Sequence, residues 1–285
     1  MTEQTAARRL RFLESLRQDG GGRDLASYAE EYGVDERTMR RDVEYLQDLL
    51  TSVQSIELRR GRVYPGRGGY AEGYFADQLG RHEPEKRAIA QAIVGNLVDN
   101  LAIVITAGTT TYYVAREIRR ARIEDDRPRN LIAFTNSLPA LLELVMAGVS
   151  TGVIGEVYSA DDRAFHAHEY QSAFQPSVAI VGASGVVVDP AAGNLDLFCH
   201  RAEEAAFLKQ LLRPVPEIVV AIDSSKLGHR HPWSFTSGGV LTGKTVRLVT
   251  SRLSEEQRDT CRQLVSNAGK TGCIFSFSEH SLQDG

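Results

Sequence analysis

The sequence predicts two domains, a small and mainly helical domain followed by a larger α/β domain with a mostly parallel sheet. Residues 1–67 form short amphipathic segments in which every basic side chain is arginine. From Glu83 onward, helical patterns alternate with short apolar strands, as in parallel sheets covered by helices. The predicted helices are 83–98, 110–121, 138–147, 200–212 and 254–267, and the predicted strands are 101–106, 130–134, 178–182, 217–222 and 245–249. The 285 residues are 42% hydrophobic, which is enough apolar material for a small core and a larger one.

Composition excludes several classes of protein. A chain that is 42% hydrophobic and 25% charged is neither disordered nor collagen-like. Its 3 cysteines form neither a disulfide framework nor a paired zinc spacing. No segment approaches the roughly 18 apolar residues of a membrane helix, and no apolar leader is present, so we expect a cytoplasmic protein with no membrane partner. At a net charge of -4, any DNA contact needs a local basic patch.

Three short helices are predicted in the first domain, and the second and third meet across a tight turn at Gly33. Glycines 20–22 end the first helix, and Asp24 and Asp35 are favourable N-caps for the other two. The apolar stripe of the first helix consists of Leu10, Leu13 and Leu16. The stripe of the third consists of Met39, Val43, Leu46 and Leu50.

A basic hairpin follows the helices. Two short strands, 56–58 and 63–64, flank a turn that contains arginines and a glycine. Helix, glycine turn, helix and hairpin together predict a winged helix-turn-helix over residues 1–67. A stretch rich in proline and glycine then predicts a linker over 68–80, and the α/β domain occupies 81–285.

The third helix carries a basic face. Its three arginines are spaced three and four residues apart, on the side opposite the apolar stripe. In the major groove such a helix pairs arginine with guanine and neutralises phosphates, and the hairpin adds further basic residues. The alternative is a solvated helix whose arginines pair with Glu36, Asp42 and Glu44; the glycine turn and basic hairpin favour DNA. The predicted DNA-binding residues are Arg37, Thr38, Arg40, Arg41, Arg60 and Arg62.

Four short polar loops follow predicted strands of the second domain. The loop at 107–111 leads into a helix and combines a glycine with three threonines, which suits a phosphate or carboxylate; an ordinary N-cap is the alternative. The loops at 135–137, 182–185 and 223–226 occupy equivalent positions. Because ligands of open α/β sheets bind at this edge, we predict a pocket for a polyhydroxylated, phosphorylated molecule, with Lys226 as a point charge.

Acidic residues give weaker signals. Glu203 and Glu204 share a helix with Lys209 at offsets that do not favour a helical ion pair, so one of them reaches the pocket or all lie on a solvated face. The chain has neither a Gly-x-Ser-x-Gly elbow nor a catalytic setting for cysteine, so hydrolysis is not expected. No cofactor is expected either.

Histidines give a weak signal for a metal. His166 with His168 and His229 with His231 form two His-x-His pairs, which could chelate a metal if Glu169 joined them. Neither pair has a recognisable supporting residue, so we predict no metal site.

Six segments resemble, in the same order, the motifs of DeoR-type transcriptional regulators. Residues 34–43, which read Val-Asp-Glu-Arg-Thr-Met-Arg-Arg-Asp-Val, resemble the recognition helix of that family. The segments that resemble its effector-domain motifs are 107–111, 135–139, 181–185, 203–209 and 223–228. The resemblance extends from about residue 6 to residue 250.

The resemblance implies a winged helix-turn-helix joined to a sensor domain of the sugar-phosphate isomerase and coenzyme A transferase-like fold. It implies a repressor of an operon for sugar, polyol or nucleoside use that responds to a phosphorylated intermediate. The effector contacts that the resemblance implies are Gly108, Thr109, Thr110, Thr111, Asn136, Ser184 and Lys226. Ser137, which lies in the same polar loop as Asn136, is added to them. Since helix-turn-helix proteins bind paired half-sites on an operator, we expect at least a homodimer.

The chain departs from the family pattern at a few positions. Thr106 and Ala107 stand where an acidic residue and a serine are common, and Glu156 follows Gly155 where a second glycine is usual. Residues 62–66 replace a basic, glycine-rich segment. The missing carboxylate at Thr106, beside the 107–111 loop, and the added carboxylate of Glu156 predict an effector that differs from a typical sugar phosphate.

Two alternatives remain at this level. A sugar-phosphate isomerase with an appended DNA-binding module needs a carboxylate base, and with Thr106 beside the anion loop only Asp223, Glu203 or Glu204 could serve. A regulator with a degenerate pocket would use the second domain for oligomerisation alone. We predict a regulator that is not an enzyme.

Overall fold

The computed structural model describes residues 5, 8, 9, 11, 12, 15, 23–49, 56–65, 75, 78–159, 163–167, 175–267 and 272–280. The chain divides into two compact units, residues 1–74 and 75–285. Among the described residues, no helix combines the length and the apolar character needed to cross a bilayer.

Two helices of the first unit meet at a glycine turn. α1 spans Leu25–Glu31 and α2 spans Glu36–Leu49. Gly33 has a φ of 63°, the left-handed conformation that commonly follows the end of a helix. The predicted cap of α2 is confirmed, since Asp35 Oδ1 accepts a hydrogen bond of 2.6 Å from the Thr38 amide.

A small antiparallel sheet completes the first unit. Its strands are β1 (Arg23–Asp24), β2 (Ile56–Arg59) and β3 (Arg62–Pro65), in the order β1-β3-β2. β2 and β3 form the predicted hairpin. Arg60 and Gly61 have φ values of 49° and 77°, the positive values that a tight two-residue turn requires.

Asp24 differs from its predicted role. It stands at the N-cap position of α1, but its side chain makes no capping hydrogen bond. The backbone of Asp24 belongs to β1, which the sequence did not predict, and pairs with Arg62 in β3. Asp24 Oδ1 lies 3.6 Å from Arg62 Nε, so the carboxylate faces the sheet.

The core of the first unit lies between the helices and the sheet. Phe12, Tyr28 and the α2 residues Met39 and Val43 are fully buried, and Leu46 is nearly so. The rings of Phe12 and Tyr28 meet edge to face with centroids 4.9 Å apart. The predicted stripe of the first helix, glycines 20–22 and Leu50 lie outside the described residues.

The predicted alternation of helices and strands is confirmed in the second unit. Its described helices are α3 (Glu83–Gly95), α4 (Thr109–Glu124), α5 (Leu138–Met146), α6 (Ala202–Leu212) and α7 (Glu255–Asn267). The strands of its main sheet are β4 (Ala102–Ile105), β5 (Ile132–Thr135), β6 (Ser150–Val153), β9 (Val178–Val181), β12 (Glu217–Ile222), β14 (Thr245–Thr250) and β15 (Ile274–Glu279).

The main sheet is parallel throughout, in the order β15-β14-β12-β9-β4-β5-β6. Both of its faces are buried, and successive residues of one strand enter different cores. In β12, Val220 packs with α6 and α7, whereas Val219 packs with α3 and α4. Burial on both faces explains why these strands are nearly continuous apolar runs.

Two smaller sheets were not predicted. β10 (Gly185–Asp189), β11 (Asn194–Cys199) and β13 (Trp233–Ser234) form an antiparallel sheet. β7 (Val157–Ser159) and β8 (Ala164–His166) form a two-stranded ribbon. Only residues 182–184 separate the end of β9 from the first strand of the antiparallel sheet, which therefore begins near the carboxyl edge of the main sheet.

Several residues of the segment predicted as a linker are helical. Phe75 and residues 78–80 have helical backbone. Phe75 is buried, and its ring centroid lies 6.1 Å from that of Tyr112 in α4. This end of the segment therefore packs within the second unit.

Candidate functional site

The four polar loops predicted from the sequence come together at one edge of the main sheet. They follow β4, β5, β9 and β12, which lie in the spatial order β12-β9-β4-β5. Because the strands are parallel, their carboxyl ends share one edge, where ligands of open α/β sheets bind. The arrangement creates a candidate ligand site at the N-terminus of α4.

The first loop is shaped by Gly108 and Thr111. Gly108 has a φ of 149°, and a Cβ atom there would lie 3.1 Å from Thr111 Oγ1. The Thr111 hydroxyl donates a 3.0 Å hydrogen bond to the Gly108 carbonyl, and its side chain is fully buried. Thr110 is also buried, whereas Thr109 is half-buried. Thr111 therefore maintains the turn, which directs the free amides at the start of α4 towards the edge.

Asn136 and Ser137 hold backbone groups in place. Asn136 is 2% exposed; its Oδ1 accepts a 2.8 Å hydrogen bond from the Ala107 amide, and its Nδ2 donates to the Phe165 carbonyl at 3.3 Å. Ser137 caps α5, since its Oγ accepts from the Ala140 amide at 3.3 Å. Both side chains already have hydrogen-bond partners, so their described role is to position the loops.

The loop after β9 is tied to both of its neighbours. The Gly182 amide donates a 3.2 Å hydrogen bond to Thr106 Oγ1, and the Ser184 amide donates to the Phe198 carbonyl at 2.9 Å. Ser184 is half-buried. Thr106 is therefore a buried link between the loops that follow β4 and β9.

The loop after β12 carries the predicted point charge. Ser224–Lys226 forms a single 3₁₀ turn, and the Ser224 amide donates a 2.8 Å hydrogen bond to Ser251 Oγ. Asp223 is buried and accepts a hydrogen bond from the Ser225 hydroxyl. Lys226 is half-buried. Its flanking residues hold it at the carboxyl edge of the sheet.

Lys86 in α3 is a site residue that sequence reasoning missed. It is 2% exposed, and its Nζ donates to the Gln78 carbonyl. Burial lowers the pKa of Lys86 to about 8, with Asp223 raising it and Lys226 lowering it. Lys86 therefore lies close to the loop after β12. A signal was available, because Lys86 occupies the same helical face as the buried Ala90 and Ile93.

The other candidates are distributed around this site. Glu203 is exposed in the first turn of α6, and Lys209 Nζ donates to Ser237 Oγ at 3.0 Å. Burial raises the pKa of Cys199 to about 12, and the nearby Glu204 carboxylate contributes to this rise. In the part of the chain that the structure describes, no three histidine, cysteine or carboxylate side chains gather as metal ligands, and His168 lies outside it.

The first unit presents the predicted basic face on α2. Arg37 and Arg41 are exposed, while Thr38 and Arg40 are half-buried. Arg40 Nη2 lies 3.3 Å from Glu36 Oε1, an exposed pair of the kind that contributes little to stability. The alternative interpretation, in which arginines of α2 pair with acidic residues on the same helix, therefore holds for Arg40.

Asp42 does not pair with the basic face. It is 2% exposed, and its two carboxylate oxygens accept hydrogen bonds of 2.7 Å from Arg8 Nε and Arg9 Nε. The buried carboxylate thus attaches α2 to the preceding helical residues. In the hairpin, Arg60 and Arg62 are exposed.

Comparison with known families identifies the second unit. The model of the family described as "DeoR C terminal sensor domain" matches residues 81–243. The chain belongs to this family. The match covers α3 to α6 and every loop of the candidate ligand site, so the carboxyl-edge site lies within the DeoR sensor domain.

Two curated relatives of this DeoR-family chain are named as transcription regulators. The HTH-type transcriptional regulator GlpR of Haloferax volcanii is 24% identical over 234 residues, which are 81% of this chain and 86% of GlpR. The transcriptional repressor AccR of Agrobacterium fabrum is 24% identical over 266 residues, which are 89% of this chain and 95% of AccR. Among solved structures, ribose 5-phosphate isomerase from Plasmodium falciparum matches about half of each chain, at 17% identity and a TM-score of 0.37.

A further departure from the family pattern lies at the edge of the sensor domain. Gly155 has a φ of 117°, and a Cβ there would lie 2.7 Å from the Phe165 carbonyl carbon. Glu156 is exposed, and its amide donates to the His166 carbonyl at 2.8 Å. The backbone of Glu156 therefore takes part in the β7–β8 ribbon while its carboxylate faces solvent.

Proposed function

We propose that this chain is a DNA-binding transcriptional regulator, a repressor of a carbohydrate or related catabolic operon, controlled by a small phosphorylated metabolite. The relatives named as transcription regulators align over 81% and 89% of the chain, so each alignment includes at least part of the first unit. The observation that carries the DNA assignment is the exposed basic N-terminal part of α2, opposite a fully buried apolar stripe.

The first unit is interpreted as a winged helix-turn-helix. α1, the Gly33 turn and α2 supply the two helices, and the β2–β3 hairpin supplies the wing with Arg60 and Arg62. Burial of Met39 on one face of α2 directs Arg37 and Arg41 outward, where arginine can reach guanine edges or phosphates in the major groove.

The sensor domain is interpreted as the effector site. A phosphate placed at the start of α4 would meet free backbone amides and the positive end of the helix dipole. Lys226 and the buried Lys86 would add positive charge on the β12 side. The larger sensor domain would also form the homodimer that paired half-sites require. Effector binding would then shift the dimer between operator-competent and incompetent arrangements.

Operator binding tests the DNA assignment. Labelled DNA from the upstream region of the gene is titrated with protein at two salt concentrations against scrambled competitor, and anisotropy is followed. We expect Arg37→Ala, Arg40→Ala and Arg41→Ala each to weaken specific binding, by roughly 1–3 kcal/mol for an arginine that reads a base. Arg213→Ala, an exposed arginine of the sensor domain, is the matched control. Binding that does not depend on the DNA sequence, or arginine variants that all bind DNA like the Arg213→Ala control, would overturn the DNA-binding assignment.

Effector binding is tested separately. A panel of phosphosugars and phosphorylated polyols is screened by thermal shift, and each stabilising compound is added to the protein–DNA complex. We expect at least one compound to raise the unfolding temperature and to release the DNA. A panel that stabilises nothing would favour a sensor domain that serves oligomerisation alone.

A further inference from the structure

Two histidines from different elements meet beside the loop that follows β9. Cys199 in β11 pairs with Trp233 in β13, so the residues just beyond this pair, His200 and His231, lie at the same end of the antiparallel sheet. Their ring centroids are 4.2 Å apart with an angle of 73° between the planes. The sequence had instead placed His231 in a His-x-His pair with His229.

Gly185 allows the histidine segment to pack on the β9 loop. A Cβ atom at Gly185 would lie 2.9 Å from His231 Cδ2 and closer still to the His229 carbonyl oxygen. The Gly228 amide donates a 2.8 Å hydrogen bond to the Val186 carbonyl, which ties the chain just after Lys226 to the same strand. The histidine pair and Lys226 are therefore built around the start of β10.

The charged groups that influence this pair are basic. Burial lowers the pKa of His200, and the charges of His231, Lys226 and Arg201 lower it further. Of the carboxylates on the same elements, Glu204 raises the pKa of Cys199, and Asp223 raises that of Lys86 and accepts a hydrogen bond from Ser225. An anion placed among His200, His231 and Lys226 would pair with the Lys226 ammonium and favour the protonated, hydrogen-bond-donating form of the His200 ring.

The β9 loop sets the distance from this cluster to the start of α4. A Cβ at Gly182 would lie 3.6 Å from Thr111 Cγ2, whereas Gly185 lies against His231. Three residues of chain span at most about 10 Å. The β9 loop thus contacts both α4 and the histidine pair, through two glycines that lie at most about 10 Å apart.

We propose that His200, His231 and Lys226 form a second anion subsite, and that the effector is a short polyhydroxylated molecule with an acid group at each end. One end, a phosphate, lies at the start of α4. The other, a carboxylate or a second phosphate, lies at the histidine pair. The inference rests on the proposed sensor function and names the class of its ligand.

Matched pairs of probes test the second subsite in the full-length protein. Titration calorimetry compares glucitol 6-phosphate with 6-phosphogluconate, and glycerol 3-phosphate with 3-phosphoglycerate; in each pair a terminal CH2OH group is replaced by a carboxylate. We expect the acid of at least one pair to bind about tenfold more tightly than its partner, about 1.4 kcal/mol. The double variant His200→Gln/His231→Gln loses this preference but keeps its affinity for the compound that lacks the carboxylate.

His229→Gln is the matched control, because its side chain is exposed on the same segment, and it keeps the preference. Equal binding of the compounds with and without the carboxylate overturns the second subsite but not the proposed phosphate site. A preference that survives the double variant, or that His229→Gln also removes, overturns it as well. Absence of binding by all four compounds overturns both the subsite and the proposed phosphate effector.

Discussion

Asn136 accepts a hydrogen bond of 2.8 Å from the backbone amide of Ala107, which joins two loops that are 29 residues apart in the sequence. Its Nδ2 also donates to the Phe165 carbonyl, so one buried side chain links the start of the 107–111 loop to the β7–β8 ribbon. The loop that precedes α4 is therefore positioned by the loop that follows the neighbouring strand β5.

Asn136→Ala tests this role. The change leaves the buried Ala107 amide and Phe165 carbonyl without these partners, and we expect the free energy of unfolding to fall by about 1–3 kcal/mol. Affinity for the phosphorylated probes should fall with it. Urea unfolding and calorimetry measure the two effects. Asn96→Ala, at an exposed asparagine that follows α3, serves as the control, and equal losses in both variants would contradict the positioning role.

Two glycines of one loop should respond differently to alanine. At Gly185 a methyl group would overlap His229 and His231, and we expect Gly185→Ala to lower the free energy of unfolding by about 1–3 kcal/mol. At Gly182 the nearest atoms lie 3.6 and 3.8 Å from the added carbon, which is ordinary contact. Gly182→Ala should therefore change stability by less than about 0.5 kcal/mol. Thermal unfolding of the pair would refute the packing argument if the order were reversed.

Lys86→Met should stabilise the protein in a pH-dependent way. The pKa of Lys86 is lowered from 10.5 to about 8, so below pH 8 the folded state carries a buried charge that the unfolded state exposes to water. Removing this charge should raise stability at pH 7 by roughly 2 kcal/mol. The gain should shrink as the pH rises from 8 towards 10.5, since folded Lys86 is then neutral already.

Chemical unfolding at pH 7 and pH 10 measures the Lys86 effect, with Lys209→Met as the control for loss of a partly exposed lysine. A gain of the same size at both pH values would contradict the buried-charge explanation. The variant should also bind phosphorylated probes less tightly, because a positive charge near Lys226 is lost.

Asp42→Asn should destabilise the first unit. The change leaves Arg8 and Arg9 without the carboxylate that both contact at 2.7 Å, and breaking a largely buried ion pair on one side costs about 2–4 kcal/mol. Hydrogen exchange of the α1 and α2 amides measures the loss. Glu36→Gln breaks the exposed pair with Arg40 and should cost less than about 1 kcal/mol. Similar exchange in both variants would show that Asp42 does not anchor α2.

Most of the regular elements in the second unit follow from local patterns. The five predicted helices and the five central strands have apolar periodicities that burial on one or both faces requires. The edge strands β6 and β15 were missed because an edge packs on fewer sides and its apolar run is weaker; Ser150 and Ile274, for example, are exposed. The β10–β11 hairpin carried an available signal, since apolar segments flank a turn that ends at Gly193.

The candidate site was predictable in its location but less so in its chemistry. Polar loops after parallel strands must share one edge, so local patterns were sufficient to place them together. The prediction that Thr111, Asn136 and Ser137 contact an effector stays a prediction, and the hydrogen bonds that the structure describes for their side chains are to backbone groups of the loops. Their hydrogen-bond partners include residues on other loops, which no local pattern specifies.

The sequence by itself determined the two units, the alternation of helices and strands, the basic face of α2 and the loops of the sensor domain, because each depends on the order of neighbouring residues. Only the tertiary structure decided that Asp42 meets Arg8 and Arg9, that Lys86 lies near Lys226, and that His231 contacts His200. These relationships join residues far apart in the chain. Burial and charge at such contacts depend on how the elements pack, and packing sets which polar groups stay available to a ligand.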